Sequence, residues 1–391
     1  MISILGAGCS TAAGIGVSSL MSGLESGDDF SSDVAVGDWV IAPKPDFSPR
    51  SFRWRERFKS TRETLLHHLC LAFDEARAQA KWVPGDRVGV ILASTKGVTE
   101  DFVWQDVEAS SSGSSSDPLT PLLDEMLVRM SVVPRQRICV SNACASSLAA
   151  LALAKTWMSI GRVDDVVVLA CDAIDSFVLH GFHQLRVLTT ERTRPFSAER
   201  SGFFLGDGAA CLILSNSVGA DVSLIDARFD SEGYAVTRPS HSGASLLRAC
   251  RALDAGSREI DLVIAHGTAT RANDEVEDRV FSVLFSSEKR EKPWITGTKW
   301  LIGHTLGACG LLDVVAAREV LLRQKAFSIL TTPVADPAFA GRYLTSDVSG
   351  HLTAVPAGHA RFENILVTSL GFGGVHGAAL VGINADRNGR L

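Results

Sequence analysis

Short apolar runs alternate along the chain with longer segments in which apolar residues recur every three or four positions. The short runs are typical of buried strands, and the longer segments are typical of helices. Strands are predicted at Val88–Leu92, Gln136–Val140, Asp165–Leu169, Ala209–Leu214, Asp261–Ala265 and Asn364–Ser369. Helices are predicted at Thr61–Ala80, Leu119–Ser131, Ser146–Ile160, Glu275–Phe285 and Thr305–Gln324.

This alternation of strands and helices predicts an α/β fold. Two similarities within the chain also indicate a duplication. The run Val88–Thr95 is similar to Asp261–Thr268. The predicted strand, turn and helix around Cys144 are similar to a second such unit, which begins at Trp294–Gly297 and continues through His304 into another helix. We therefore expect two related units, residues 1–216 and 217–391.

Two segments fall outside this pattern. Ser110–Ser116 is a low-complexity run of serine with a single glycine, and it is predicted to be a surface loop. Ala385–Leu391 is predicted to be a frayed end.

Composition and charge narrow the class of protein. Of the 391 residues, 46% are hydrophobic and 21% are charged, which supplies a core and excludes a disordered chain. The net charge of −6 argues against a nucleic-acid-binding surface. Met1 leads into the chain without a signal-peptide pattern, and no apolar stretch approaches the roughly 18 residues of a membrane span. We expect a soluble, cytoplasmic protein.

The cysteines show neither a CxxC pair nor metal-ligand spacing. Most lie in apolar runs, so we expect reduced, buried thiols, no disulfide framework and no bound metal. The eight are Cys9, Cys70, Cys139, Cys144, Cys171, Cys211, Cys250 and Cys309.

Cys144 stands out because it lies where a predicted strand ends and a predicted helix begins. Unpaired N–H groups and the positive end of the helix dipole favour a thiolate over a thiol at such a corner. The alternative is a buried structural cysteine, and the corner alone does not decide between the two.

Three further segments frame candidate residues in the second half of the chain. His266 lies in Ala265–Thr270 and His304 in Lys299–Ala308, both rich in Gly and Thr, and Ser369–Gly374 is rich in Gly. A lone histidine on an apolar element is usually a core residue, so neither histidine is decisive by itself.

In this order, the four segments closely resemble the β-ketoacyl-[acyl carrier protein] synthases, the decarboxylating condensing enzymes of fatty acid and polyketide assembly. The resemblance covers nearly the whole chain and includes Pro195–Ser197, Arg200–Phe203 and Gly206–Ala209. It implies a thiolase-type duplicated α/β fold, layered α-β-α-β-α, in which two sheets face a shared layer of buried helices.

The resemblance also implies a set of catalytic residues. Cys144 takes the acyl group as a thioester, which divides one difficult step into two. His266 and His304 each donate a ring N–H to the enolate formed when malonyl-carrier loses CO₂. Lys299 and Glu277 match a Lys–Glu pair behind the histidines, whose ammonium would hold His304 in its donating tautomer. The alternative for Glu277 is a solvated carboxylate on a helix face.

Backbone groups complete this implied site. The N–H groups of Cys144 and Phe372 form an oxyanion hole for the thioester carbonyl, and Gly371 and Gly373 allow the backbone to approach the substrate. Phe372 also serves as a gate above the acyl pocket.

Two hydroxyls match the residues that bind the pantetheine arm of the carrier. These are Thr268 and Thr270. The alternative is that they satisfy backbone groups in a Gly-rich turn.

Three places in the chain depart from the family pattern. Asn142 replaces a threonine two residues before the nucleophile, Leu370 replaces an aromatic residue, and Val375-His376 replaces Thr-Asn after the double glycine. These changes affect the pocket wall and the gate loop, and they indicate a specialised pathway. We interpret His376 as a residue that shapes the loop and not as a third catalytic histidine.

The resemblance further implies an acyl carrier protein as partner, no cofactor beyond its phosphopantetheine, and a homodimer or a heterodimer with a related subunit. A basic run precedes the Thr61–Ala80 helix, where the family docks its carrier, and we assign docking to Arg53, Arg55, Arg57 and Lys59. An ordinary solvated charge run is the alternative.

Two other function classes compete with an active condensing enzyme. One is a non-catalytic partner subunit that has lost the nucleophile. The other is a non-decarboxylating relative that replaces one histidine by asparagine or uses a second catalytic cysteine. Cys144, His266, His304 and Lys299 are all present, and Cys309 lies within a predicted helix where we expect it to pack in the core.

Overall fold

The computed structural model describes residues 1–33, 50–99, 117–217, 219–253, 255, 258–287, 290–346 and 361–384. The loop predicted at Ser110–Ser116 and the end predicted at Ala385–Leu391 lie outside the described residues.

Apolar and β-branched runs form the strands, and several strands, such as β5 and β9, are buried along their whole length. Such continuous burial is expected for strands covered on both faces. The strands are β1 (Ile2–Thr11), β2 (Gly14–Ile15), β3 (Ser32–Asp33), β4 (Arg50–Phe52), β5 (Val88–Ala93), β6 (Gln136–Val140), β7 (Asp165–Asp172), β8 (Leu205–Gly206), β9 (Gly208–Ser215), β10 (Val222–Ser231), β11 (Leu262–Ile264), β12 (Trp294–Thr296), β13 (Arg342–Tyr343), β14 (Asn364–Leu370) and β15 (Val375–Ile383).

The helices follow the predicted periodic segments. They are α1 (Val17–Ser26), α2 (Thr61–Ala80), α3 (Thr120–Met130), α4 (Ser146–Ser159), α5 (Ser176–Gln184), α6 (Ala244–Ala252), α7 (Arg271–Leu284), α8 (Lys299–Ile302) and α9 (Cys309–Arg323).

All the predicted strands and helices are present, with differences at their ends. Helix α2 has the predicted bounds, and its N-cap Ser60 accepts a hydrogen bond from the Glu63 N–H. Helix α9 begins at Cys309 and not at Thr305, because Leu306–Ala308 forms a separate 3₁₀ turn.

The strand order reveals the duplication. In the described part of the chain, a 12-stranded sheet has the order β13-β12-β11-β14-β15-β10-β1-β9-β7-β5-β6, with β2 paired to β1. The half-sheet β1-β9-β7-β5-β6 and the half-sheet β10-β15-β14-β11-β12 share one order and one set of parallel and antiparallel pairs. The two similarities found in the sequence therefore correspond to equivalent strands: β5 is equivalent to β11, and β6 is equivalent to β12.

Helices complete a five-layer arrangement. Helix α4 contacts β5 and β7 of the first half-sheet and β10 and β15 of the second. Helix α9 likewise contacts β9 and β14, so these two helices form a layer shared by the halves. Helices α2 and α3 cover the outside of the first half, and α6 and α7 that of the second. This is the predicted α-β-α-β-α order.

Candidate active site

Cys144 lies on a tight turn between β6 and α4, in the shared layer. The turn is closed by Ser146, whose hydroxyl accepts the Asn142 N–H at 2.8 Å and donates to the Ala143 carbonyl at 2.6 Å. Ala143 has a left-handed backbone with φ of 48°, an uncommon conformation for a residue with a Cβ. The turn directs the Cys144 side chain inward, where it is only 4% exposed.

His304 approaches the cysteine from the second half of the chain. Its Nε2 lies 3.1 Å from Cys144 Sγ. Its Nδ1 accepts the Leu306 N–H at 3.3 Å, which assigns the ring hydrogen to Nε2. Burial and the nearby Lys299 lower the pKa of His304 well below its usual value, so the ring is neutral at neutral pH. A neutral Nε2–H donor therefore faces the sulfur.

His266 stands beside His304, with ring centroids 5.2 Å apart and planes at 85°. Burial is the largest cause that lowers the pKa of His266, followed by the charge of Lys299, so this ring is also neutral. Its Nδ1 is buried, and no partner for it occurs among the described residues. The structure thus brings both predicted histidines and Cys144 together.

Glu277 holds the backbone of the His266 turn. Its two carboxylate oxygens accept the N–H groups of His266 and Gly267, each at 2.8 Å, and the Thr368 hydroxyl at 2.8 Å. Glu277 is fully buried on α7. The alternative of a solvated carboxylate is therefore wrong.

The direct ion pair predicted between Lys299 and Glu277 is also wrong. Lys299 Nζ lies 3.3 Å from Asp313 Oδ2, both side chains are fully buried, and Thr298 donates to Asp313 at 2.5 Å. Asp313 lies on α9, four residues after the start of the helix, and from there it contacts the Lys299 ammonium directly. Glu277 affects the pKa of Lys299 only through its charge, at longer range. The tautomer of His304 is likewise held by the Leu306 N–H and not by Lys299.

Burial opposes the thiolate expected at the corner. It raises the pKa of the Cys144 thiol, and the opposing effects of Lys299 and the Phe372 N–H are smaller. The helix end favours the thiolate, but desolvation in the buried site disfavours the charged form and outweighs it. The neutral thiol is therefore favoured, and the N–H donors of His304 and Phe372 are placed to stabilise a thiolate when it forms.

The glycine-rich loop after β14 lies directly against the Cys144 turn. A Cβ atom on Gly371 would lie 3.0 Å from the Asn142 carbonyl oxygen and 3.2 Å from the Ala145 nitrogen, so a side chain there would press the loop away from the Cys144 turn. The N–H of the next residue, Phe372, lowers the pKa of the Cys144 thiol, which indicates that it lies close to the sulfur. The two N–H groups predicted to form an oxyanion hole thus belong to adjoining segments.

Aromatic side chains surround this loop and His304. The Phe372 ring lies 5.5 Å from that of Phe182, and the rings of Phe182 and Phe203 lie 6.5 and 5.1 Å from that of His304. Phe182 was not predicted, because no motif in its apolar segment distinguishes it from a core residue. Phe203 belongs to the family-like segment Arg200–Phe203, but the sequence indicates no role for its ring.

His376 is buried behind the glycine-rich loop. Its Nε2 lies 3.5 Å from Glu232 Oε1. The Glu232 N–H donates to the Gly374 carbonyl at 2.9 Å, and a Cβ on Gly374 would clash with the Glu232 carbonyl oxygen at 2.2 Å. His376 therefore contacts the residue that anchors the end of the loop.

Thr268 and Thr270 lie together at the start of α7. Their hydroxyl oxygens are 3.0 Å apart, and Asn273 donates to the Thr268 hydroxyl at 2.9 Å. Thr268 is buried and Thr270 is partly exposed.

The basic segment before α2 divides into exposed and structural residues. Arg55 and Lys59 are exposed, and Arg53 is half-buried. Arg57 lies 3.3 Å from the fully buried Asp207 and donates to a backbone carbonyl at 3.0 Å. Arg57 is thus committed to the fold, which a charge run in sequence does not reveal.

Two general findings apply to the described ranges. None of their helices combines the length and the apolar character needed to cross a membrane. Within those ranges, no group of three or more His, Cys, Asp or Glu side chains is arranged to hold a metal ion.

Similar proteins carry the same domains. The model of the beta-ketoacyl synthase N-terminal domain matches residues 1–219, and that of the C-terminal domain matches residues 221–329. A polyketide beta-ketoacyl synthase from Streptomyces cyaneus is 30% identical over 262 residues, which are 62% of this chain and 59% of the relative. The chain thus spans less than two thirds of the length of this curated relative.

Solved structures share the fold. A type II polyketide ketosynthase in complex with its acyl carrier protein gives a TM-score of 0.79 at 20% identity, with 98% of this chain and 99% of that chain covered. A ketosynthase in complex with its chain length factor from Xenorhabdus doucetiae gives 0.77 at 20% identity, with 98% of both chains covered. These likenesses confirm the thiolase-type fold. With both domain models matched along most of its length, the chain belongs to the beta-ketoacyl synthase family.

Proposed function

We propose that the chain joins a Cys144-bound acyl group to malonyl-[acyl carrier protein] by decarboxylative Claisen condensation. The observation that carries this proposal is the 3.1 Å contact between Cys144 Sγ and a His304 ring whose hydrogen is assigned to Nε2, with His266 alongside. One nucleophile with two neutral N–H donors is what acyl transfer followed by enolate formation requires.

The first half-reaction loads the cysteine. The neutral Cys144 thiol first releases its proton to solvent, because both ring nitrogens of His304 are already engaged. The resulting thiolate attacks the carbonyl carbon of an acyl-pantetheine thioester, and the carbonyl electrons move to oxygen. The N–H groups of Cys144 and Phe372 stabilise this oxyanion. Its collapse breaks the carbon–sulfur bond to pantetheine, whose thiolate takes a proton from solvent in place of the one that Cys144 released.

The second half-reaction makes the new bond. The carbon–carbon bond of malonyl-carrier breaks, CO₂ leaves, and the electron pair forms an enolate whose oxygen accepts from the Nε2–H of His304 and a ring N–H of His266. The enolate carbon then attacks the Cys144 thioester and expels the thiolate. Neutral rings serve this role without a net charge to desolvate, because burial keeps both histidines unprotonated.

The pantetheine arm carries the substrates, and no other cofactor takes part. Thr268 and Thr270 lie two and four residues beyond His266 in the chain, and the partial exposure of Thr270 supports contact with the arm. The similar synthase from Streptomyces cyaneus is named for polyketides, which supports a polyketide or fatty acid pathway for this chain.

A non-catalytic partner subunit is the alternative, since chain length factors occur in complexes with the structural neighbours. The assembled Cys144–His304 contact argues against it. A thiolase-like second catalytic cysteine is also disfavoured. Cys309 is buried, its thiol donates to the Cys144 carbonyl at 3.4 Å, and burial raises its pKa to about 11.

The first prediction concerns the nucleophile. Incubation with an acyl thioester of the carrier should add one acyl mass to the wild-type protein and none to Cys144→Ala, measured by intact-mass spectrometry. Cys139→Ala is the matched control and should load normally, because Cys139 is half-buried and burial raises its pKa to about 12. An adduct that persists in Cys144→Ala would contradict the assignment.

The second prediction separates the two half-reactions. His266→Ala and His304→Ala should each lower malonyl decarboxylation by about 10²–10³-fold, because each loses one enolate donor. Each should keep part of the acyl transfer, measured as Cys144 loading. The exposed His241→Ala provides the control and should change neither rate. An equal loss of loading and decarboxylation in both variants would refute this division of roles.

Carrier docking is assigned to the exposed part of the basic segment. The chain has a net charge of −6, so an acidic carrier needs a local basic surface. Arg55 and Lys59 offer exposed charge, whereas Arg57 neutralises the buried Asp207. Reversing the charge at Arg57 would remove the cation that pairs with the buried Asp207 carboxylate. Such a variant would be destabilised, so its effect on docking could not be measured separately.

The third prediction uses the exposed charges alone. Arg55→Glu combined with Lys59→Glu should raise the apparent KM for acyl-carrier several-fold at low salt, because exposed charges mainly speed association. Turnover of small pantetheine thioesters should be unchanged. Lys81→Glu, at the other end of α2, is the control. If both substrates are affected alike, or neither is, the surface has no docking role.

Assembly is proposed through strand β6, beyond which the described residues add no further strand to the sheet. Strand β6 ends the sheet order and presents Ile138, which is 41% exposed. A groove of about 570 Å³ lies between the end of β6, α4 and β10, and its lining includes Val140, Asn142 and Phe229. An exposed apolar edge invites pairing with another chain. Because Asn142 precedes the nucleophile by two residues, a partner here would border the site.

The fourth prediction tests this edge. The wild-type protein should sediment at about twice its 41.7 kDa mass at micromolar concentration. Ile138→Lys should sediment as a monomer, because a charge would have to be desolvated between two strands. Val83→Lys, at an exposed valine outside β6, should leave the dimer intact. A wild-type mass near 42 kDa would refute the homodimer.

A further inference from the structure

Asp172, the last residue of β7, is a fully buried carboxylate outside the sites assigned above. Its Oδ1 accepts the hydroxyls of Ser94 and Thr95 at 2.8 and 2.9 Å. Its Oδ2 accepts the backbone N–H groups of Thr95 at 2.9 Å and Gly307 at 2.8 Å. A carboxylate is costly to bury alone, and here the charge of Lys96 and the four hydrogen bonds together explain how it is tolerated.

The bond to Gly307 connects Asp172 to the catalytic ring. Gly307 follows Leu306, whose φ of 53° places a branched side chain in the left-handed region. That strained residue supplies the N–H that reaches His304 Nδ1. A strained backbone persists only where its surroundings hold it. Here the N–H of the next residue, Gly307, donates to Asp172 Oδ2, so Asp172 holds the backbone directly after Leu306.

The fit around Gly307 is tight. A Cβ atom there would lie 2.9 Å from Asp172 Oδ2 and 2.9 Å from the Thr95 nitrogen. The turn after His304 is therefore pressed against the ends of β5 and β7 in the first half of the fold. Movement of this carboxylate would be transmitted to the Leu306–Gly307 peptide.

We propose that Asp172 is a positioning residue for His304. By holding the Gly307 N–H, it keeps Leu306 left-handed, directs the Leu306 N–H at Nδ1, and so keeps the ring hydrogen on Nε2, where it faces Cys144. The catalytic consequence rests on the proposed function, whereas the effect on the ring does not.

A purely structural role predicts something different. Asp172 also joins the end of β5 to the end of β7 through Ser94 and Thr95, so its loss would lower stability in either case. Only the positioning role predicts a change in which ring nitrogen of His304 carries the hydrogen. The two oxygens separate these roles, because one accepts only hydroxyls and the other only backbone N–H groups.

The variants follow from that separation. Asp172→Leu removes the acceptor for Gly307. Asp172→Asn should rescue it, since its carbonyl can face the two N–H groups while its amide faces two hydroxyls that can rotate to accept. Thr95→Val is the matched control, because it removes one hydrogen bond to Oδ1 and leaves the Gly307 bond. Gly307→Ala strains the same link from the other side and serves if Asp172→Leu does not fold.

The experiment is ¹⁵N–¹H correlation NMR of ring-labelled histidine in the substrate-free full chain, with the His304 signals assigned from His304→Asn. The wild type, Asp172→Asn and Thr95→Val should show the Nε2–H form of His304. Asp172→Leu and Gly307→Ala should gain the Nδ1–H form and lose malonyl decarboxylation by about tenfold, within the 10²–10³-fold expected for complete loss of a donor.

The ring signals decide the proposal. An unchanged Nε2–H form in Asp172→Leu, or in Gly307→Ala if the former does not fold, would overturn it. A change of equal size in Thr95→Val would overturn it too, because that variant leaves Gly307 bound. A wild-type protein without decarboxylase activity would refute the proposed function, and the NMR result would still report on Asp172.

Discussion

The close approach of helices α4 and α9 is the constraint on which the site depends. A Cβ atom on Gly310 would lie 2.8 Å from Leu148 Cγ and 2.9 Å from Ser147 Oγ, so the first turns of these helices meet only because position 310 is a glycine. Cys144 precedes α4 and His304 precedes α9. Cys144 follows β6 directly, and His304 follows β12 after the short helix α8; β6 and β12 hold equivalent places in the two half-sheets. Duplication thus supplies two helix starts, and their packing brings a nucleophile and a donor to 3.1 Å.

Desolvation is the second consequence of this packing. Lys299, Asp313 and Glu277 are fully buried, and both histidines are kept neutral. A buried charge is tolerated when it is paired or fully hydrogen-bonded, and here Asp313 satisfies Lys299 while backbone N–H groups satisfy Glu277. The Glu277 carboxylate therefore holds the backbone of the His266 turn, and the Lys299 charge lowers the pKa of both histidine rings. The groups that face the substrate are neutral N–H donors, which need little reorganisation when an oxyanion forms.

Periodicity was sufficient for the strands and helices. The family resemblance, carried by the order of the motifs, implied the layers and singled out Cys144, His266 and His304, which the structure brings together. Hydrophobic periodicity and short motifs can both be recognised from residues that are close together in the sequence. The partner of Lys299 could not be found in this way, because Glu277 and Asp313 are both acidic residues on helices and only packing determines which one reaches the ammonium. The tautomer of His304 depends on a left-handed leucine, a conformation that no residue preference marks. The charge run before α2 concealed Arg57 for a similar reason, since its partner Asp207 lies 150 residues away.

The three departures from the family pattern meet around one loop. Leu370 pairs with His376 across β14 and β15, and the adjoining Gly371 packs against the Asn142 carbonyl. None of these side chains supplies a group to the reaction as proposed, because the loop contributes through the Phe372 N–H and the turn through the Cys144 N–H. Side chains around a backbone-built oxyanion hole can vary while the N–H directions are kept. The departures from the family pattern therefore affect which acyl groups can pass the Phe372 ring and how the loop is anchored. They leave the chemistry at the sulfur, which depends on the Cys144–His304 contact, unchanged.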